Sequence, residues 1–250
     1  MIQFQTEFIE TALHAGILLL QYGAQTQDVE ESISKLLKIC NIKDYTVVIL
    51  PYTIILNVNI DDKTVTKIKR APKQEVNFSI ITEIHRITNQ IELNPKEIKK
   101  ALIRLKHIHL LHLNYPPILK IVASALACAF ISQLIESSLI VFLITFIASS
   151  SGMVVRIMLS NNQVNPFLVV IITSFVTTLI SSFFVKLFYV SHVPISSAVL
   201  MLVPGVPLIN AFEDMLKAHY TNAISRGIRG ILISLGIALG MMSAISIVGI

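Results

Sequence analysis

Residues 200–220 read LMLVPGVPLINAFEDMLKAHY. The stretch opens as a membrane-grade apolar run, is interrupted by Pro204, Gly205 and Pro207, and closes on Asn210, Glu213, Asp214, Lys217 and His219. A proline inside a helix removes a backbone donor and clashes with the preceding turn, at a cost of about 3 kcal/mol. Pro204 is expected to orphan the carbonyl of Leu200, and Pro207 that of Val203. Freed carbonyls in hydrocarbon cannot turn to bulk water, so irregular backbone persists there only inside protein or beside a wet cavity. The stretch is therefore either a packed proline kink or a helix broken for use. A broken helix offers two chemically distinct ends. The carbonyl end, near Leu200 and Val203, accepts cations, and the amide end, near Pro207, Leu208 and Ile209, attracts anions.

The rest of the chain places this break in a membrane. The 250 residues are 54% hydrophobic and only 14% charged, with mean hydropathy +0.72. Soluble domains are closer to a quarter charged. The net charge of +5 is modest, and no basic run carries interleaved aromatics, so a nucleic-acid partner is not expected. Cys40 and Cys128 stand alone and read as inert reduced thiols. The N-terminus, MIQFQTEFIE, lacks the basic and apolar blocks of a signal peptide.

Charge divides the chain near Tyr115. Residues 116–250 hold only Lys120, Arg156, Lys186, Lys217, Arg226 and Arg229 among basic side chains, and Glu136, Glu213 and Asp214 among acidic ones. The expected fold is an α+β cytoplasmic domain over 1–115, followed by a five-helix all-α transmembrane domain over 116–250. In the first half, helical spacing over 4–22 ends at Gly23, and Thr26 is expected to cap a second helix. Three β-branched strands are expected at 45–50, 52–60 and 64–69, with a hairpin turn at Asp61-Asp62-Lys63. Helices are expected at 75–90 and 95–112. In the second half, spans are expected at 117–135, 138–159, 166–188, 195–216 and 227–250, each near the 20 residues a bilayer requires. Gly236 and Gly240 give the last one a GxxxG face for close helix packing. With the N-terminal domain in the cytoplasm, Lys120, Arg156, Lys217, Arg226 and Arg229 fall at cytoplasmic ends and only Lys186 falls outside, which satisfies the positive-inside rule. The C-terminus is then outside.

The break supplies the expected substrate-binding set: Leu200, Val203, Pro204, Gly205, Pro207, Leu208, Ile209 and Asn210. Asn210 and Asp214 are four apart, share a helical face, and could line the mouth of a pathway. Asp214 is the expected proton or cation partner, with His219 second. The second span adds Arg156, which is either a snorkelling anchor or a carboxylate clamp, and Ser151 one turn away. Ser174, Thr177, Thr178 and Ser181 form one hydroxyl stripe on the third span, as for a facing helix or a wet path. HIHLLH (107–112) does not supply a complete metal-ligand set. No P-loop, GxSxG or HExxH is present, so neither a catalytic site nor a cofactor is expected.

The segment LVPGVPLINAFEDMLKAHY closely resembles the hallmark segment of the threonine/serine exporter (ThrE) family, and most of all its split, YjjP-type large subunit. AGILLLQYGAQTQDVEES (15–32), with Gly16, Gly23, Ala24, Val29 and Glu30, is similar to that family's N-terminal helix pair. IASSSGMVVR (147–156) and NPFLVVIITSFVTT (165–178) are similar to its second and third spans. The resemblance implies an inner (plasma) membrane exporter of threonine or serine, or of a dicarboxylate such as succinate. It also implies a small membrane subunit supplying the second transmembrane half, and it is compatible with self-association. The alternative is a membrane-anchored regulatory or scaffolding subunit whose partner holds the whole path. A membrane-tethered enzyme is a third and weaker reading.

Overall fold

The computed structural model describes residues 2–60, 63–72, 74–108 and 115–249. It divides into two compact units, Met1–Asn114 with Val206–Ile228, and Tyr115–Gly205 with Arg229–Ile250. Val206–Ile228, which the sequence reading assigned to the second half, thus packs with the first unit.

The first unit is built around helix α1 (Ile2–Gln21). Phe8, Ile9, Ala12, Leu13, Leu19 and Leu20 are all buried, because α1 is covered by α2 (Thr26–Ile39), α3 (Phe78–Leu93) and α4 (Ile98–Lys106) as well as by strands. A helix covered on several sides can be apolar nearly all round. Strands β1 (Tyr45–Leu50), β2 (Thr53–Ile60) and β3 (Lys63–Arg70) form an antiparallel meander in which Val48, Ile55 and Ile68 lie in register. Alternation decides their faces: Ile54, Leu56 and Val58 are buried, while the residues between them line the other face of the sheet.

Chain ends explain where the helices stop. Gly23 has φ +89°, and the Ala24 N–H returns to the Leu19 carbonyl at 3.0 Å, which is a left-handed glycine closure. Thr26 does not cap α2 as expected; it is the first helical residue, and its own N–H is capped from a distant carboxylate described below. The third helix begins at Phe78 rather than 75, because the Asn77 side chain accepts the Ile80 N–H at 3.2 Å. The expected helix from Pro95 is a 3₁₀ turn, Pro95–Glu97, followed by α4. Asp61-Asp62 of the expected turn, and His109 and His112 of HIHLLH, lie outside the described residues.

The second unit holds α5 (Pro117–Ile135), α6 (Leu139–Asn161), α7 (Pro166–Phe188), the short α8 (Val193–Val199) and a 3₁₀ turn at Leu200–Leu202. Helix α9 (Gly205–Leu216) begins just after it, and α10 (Tyr220–Val248) starts before the expected 227. Prolines 117 and 166 occupy first turns, where their missing N–H costs nothing. Helices α5, α6, α7 and α10 are long and apolar enough to cross a membrane, with mean hydropathy of 2.0 to 2.3. Val193–Leu202 and Gly205–Leu216 pass the same test together as one broken pair.

The GxxxG face docks α10 on α7. A Cβ at Gly240 would overlap the Ile171 carbonyl oxygen and stand 2.8 Å from the Phe175 nitrogen; one at Gly236 would stand 3.2 Å from Phe167. Ser174 Oγ donates to the Ile237 carbonyl at 2.8 Å, and Lys186 Nζ to that of Val248 at 2.9 Å. The matched positions rise together along both helices, so α7 and α10 run parallel.

Candidate functional site

The break is more self-satisfied than its prolines suggest. Val203 N–H donates to the Leu200 carbonyl at 3.1 Å, and Gly205 N–H to the Val203 carbonyl at 2.9 Å. The two carbonyls expected to be orphaned therefore have local partners, because the chain tightens into a 3₁₀ turn before the break. The amide end is sparse as well. A helix start normally presents four unpaired N–H groups. Here Pro204 and Pro207 have none, and that of Gly205 is used, which leaves Val206. Leu200, Val203, Leu208 and Ile209 are exposed, whereas Pro204 is buried.

In the second unit the polar groups gather around the turn before the break. Arg156 on α6 donates from Nη1 to the Met201 carbonyl at 3.1 Å. A guanidinium thus occupies the carbonyl end of the first half-helix. A Cβ at Gly152 would overlap Thr177 Oγ1 and stand 2.5 Å from the Met201 side chain, so α6, α7 and the 3₁₀ turn meet there. Ser151 lies off this meeting point, bonded to its own helix at the Ile147 carbonyl. The hydroxyl stripe of α7 is fully buried: Thr173, Ser174, Thr177, Thr178, Ser181 and Ser182 are all at 0% exposure. Thr177 and Ser181 bond back to their own helix. Thr173 Oγ1, Thr178 Oγ1, Ser182 Oγ and, on α8, Ser197 Oγ have no hydrogen-bond partner among the described residues. Buried hydroxyls without partners are costly in an apolar unit.

In the first unit a second polar cluster surrounds the turn between α1 and α2. Asn210 Nδ2 donates to the Gly23 carbonyl at 2.9 Å. Arg226 Nη2 donates to the Ala24 carbonyl at 2.8 Å. Lys217 Nζ reaches Gln25 Oε1 at 3.3 Å. The Thr26 N–H donates to Asp214 Oδ1 at 3.2 Å, so this carboxylate caps α2 where a helix N-terminus favours an anion. Asn222 Nδ2 bonds Thr26 Oγ1 at 3.1 Å and the Ile49 carbonyl at 3.0 Å. Asp214 Oδ2 faces Arg226 Nη1 at 3.3 Å, and the two side chains are 1% and 11% exposed. Asn210 and Asp214 do share a face, but that face docks on the 23–26 turn. His219 sits apart, 3.8 Å from Glu30, in a groove of about 700 Å³ that also includes Lys35, Lys38 and Lys217.

Elsewhere in this unit, His14 is pushed down to about 4, by burial first and then by the ammonium groups of Lys69 and Lys106. Lys69 Nζ lies 2.8 Å from His14 Nδ1; an ammonium can only donate, so the ring accepts. Burial pushes the Cys40 thiol up to about 12, away from nucleophilic chemistry. Among the described residues, no group of three His, Cys, Asp or Glu side chains is placed to hold a metal.

The sequence reading missed Thr26 as an acceptor's partner, Asn222, and Arg226 in any role beyond topology. Asn222 and Arg226 are four apart at the polar start of an otherwise apolar helix, and that spacing was the available signal. It also did not foresee Met201 as the partner of Arg156.

The chain matches a family model described as "Putative threonine/serine exporter" over residues 10–248. Two curated relatives, from Klebsiella aerogenes and Escherichia coli strain K12, are each named "Probable succinate transporter subunit YjjP". Both are 29% identical to this chain, over 244 and 241 residues, covering 95% of it and 93% of each relative. No solved structure matches. With four or five apolar helices able to cross a bilayer, and a family match covering nearly its whole length, the chain belongs to the threonine/serine exporter family of multi-pass membrane proteins.

Proposed function

We propose that the chain is the large membrane subunit of a two-component secondary exporter of a small carboxylate-bearing metabolite, with a succinate-type dicarboxylate first and threonine or serine second. The carrying observation is the Arg156 guanidinium bonded to the Met201 carbonyl beside the break. An arginine can hold a carboxylate on two prongs. At the same place an ammonium group would meet a like charge, so the expected docking of an amino-acid ammonium at Leu200–Val203 loses its attraction. The sparse donors at the start of α9 likewise move carboxylate recognition from the Pro207–Ile209 amides to Arg156. The names of the two relatives favour the dicarboxylate and the need for a partner subunit.

The parallel course of α7 and α10 supports five crossings. Two helices crossing a bilayer in the same direction require an odd number of crossings between them, and the broken pair supplies one. With the positive-inside rule, residues 1–115 are cytoplasmic and the C-terminus outside. The sequence has no ATP-binding motif, so an ion gradient or the gradient of the substrate drives export.

The test is efflux of preloaded labelled succinate, threonine and serine. The host lacks its own exporters and expresses the chain alone or with a small membrane subunit of the family. Succinate efflux requiring both proteins, and lost in Arg156→Ala, is the expected result. No efflux of any of the three, with both proteins in the membrane, would leave a regulatory subunit and sink the exporter reading.

A further inference from the structure

Each residue of the turn from Gly23 to Thr26 is held by a different side chain of the segment that follows the helix break: Asn210, Arg226, Lys217 and Asp214 in turn. We infer that Asp214 and Arg226 are positioning residues, a buried ion pair that latches α9 and the start of α10 onto the α1–α2 turn and so sets the second half-helix for transport. The inference rests on the exporter reading for its transport role, and on the first unit alone for its geometry.

The reasoning begins with cost. Two charges this deeply buried gain little net stability over apolar residues of similar volume. Their contribution is direction. Asp214 can accept the Thr26 N–H only where that N–H opens α2, and Arg226 can donate to the Ala24 carbonyl only where Gly23 has turned the chain. Apolar contacts would tolerate sliding by a residue, and this pair does not. Asn222 fixes the same register from the next turn of α10, through Thr26 and Ile49. The latched segment is continuous with the break at Gly205 and with the membrane-grade helix beyond Arg229. Its placement therefore sets where the helix after the break begins. The pair then serves as a holder, and the role expected from sequence for Asp214, carrying a proton or cation, is not needed to explain it.

The experiment uses the full chain with its small membrane subunit, carrying Asp214→Asn, Arg226→Gln, or both. Asp214→Asn keeps an oxygen to accept the Thr26 N–H, and Arg226→Gln removes the charge while keeping an amide donor. Each single change leaves one charge buried alone and lowers export about tenfold. The double change removes both charges and restores export to within about threefold of the unmodified protein. Hydrogen exchange over residues 22–28 of the purified chain rises in each single variant and falls back in the double one. If the double variant is as inactive as Asp214→Asn while the turn is protected again, the carboxylate itself is required and the latch is wrong. If exchange rises in the singles with export unchanged, the contacts are packing only and the positioning role is wrong. Should the single variants fail to reach the membrane, Asn222→Ala removes two of the hydrogen bonds without stranding a charge. Faster exchange at Thr26 with a lower maximal export rate and an unchanged half-saturating concentration supports the latch. No change in either overturns it. If the unmodified protein exports none of the three substrates, the exporter reading fails together with the transport role, while exchange still reports the latch itself.

Discussion

The two polar clusters of this protein solve the same problem in opposite ways. Around the 23–26 turn, charged and amide side chains are buried against backbone groups and one another, and nearly every contact is directional. Along α7, six neutral hydroxyls are buried, and three of them have no hydrogen-bond partner among the described residues. The first arrangement fixes a single geometry. The second leaves three hydroxyls without a partner among the described residues. The comparison teaches that burial alone does not mark a pathway: Asp214 and Arg226 are anchored to backbone groups and to each other, with Asp214 Oδ2 and Arg226 Nη1 meeting as an ion pair rather than a hydrogen bond, whereas the unpartnered hydroxyls of α7 are neutral and have no counter-group among the described residues.

The strongest way to break this comparison is at Arg156, the charge that belongs to the hydroxyl-lined unit. Arg156→Ala should lower succinate efflux about a hundredfold, the scale of losing one partner of a desolvated charge contact. Arg156→Lys should keep part of the activity, since it retains the charge without the two-pronged geometry. Equal efflux in all three proteins would make Arg156 a mere anchor.

Next in size is Gly240→Leu. Its side chain would have to stand where the backbone of Ile171 and Phe175 already is, so α7 and α10 must separate. A loss of about 3 kcal/mol in detergent-solubilised stability is expected, read as a lower thermal midpoint. Unchanged stability would mean that α10 does not rest on α7.

A finer test compares two hydroxyls of the stripe. Ser174→Ala removes the bond to the Ile237 carbonyl and should cost about 1 kcal/mol. Thr178→Val removes a hydroxyl with no described partner and should stabilise by up to about 1 kcal/mol, while lowering efflux. Greater stability with undiminished efflux would show that the stripe is packing rather than lining.

The smallest expected effect lies in the first unit, at His14. Its folded value of about 4 is below its ordinary 6.5, so the unfolded chain binds more protons between these limits. Stability contributed by the neutral ring is therefore present above about 6.5 and is lost as pH falls toward 4. His14→Gln should flatten that part of the stability–pH curve, measured by chemical denaturation of the purified chain. An unchanged slope would remove His14 from the account.

Much of this was legible before any coordinates. The strands expected at 45–50, 52–60 and 64–69 differ from those observed by at most one residue at any end, and the first matches at both, because β-branched alternation is a local signal. Spans α5 and α7 were located to the residue by prolines at their starts and apolar composition through their length. Other boundaries were missed for local reasons of another kind. Asn77 outcompeted Glu75 as a helix start by reaching an N–H three residues on. The run after Pro95 split because a 3₁₀ turn took its first residues. The candidate site was legible in part. Arg156, the hydroxyl stripe and the break stood out by composition, whereas their partners did not.

The sequence by itself determined that this is a membrane protein of the exporter family, where its first three spans lie to within about two residues, and that the next is broken at Pro204. These follow from backbone chemistry and from the match between apolar run length and bilayer thickness, both of which act on neighbours along the chain. Only the tertiary structure decided what the polar residues on either side of the break hold. Asp214 caps a helix 188 positions away, and Arg156 takes a carbonyl 45 positions away. A buried charge takes whichever counter-group the fold brings within a few ångströms, and separation along the chain carries no record of that choice.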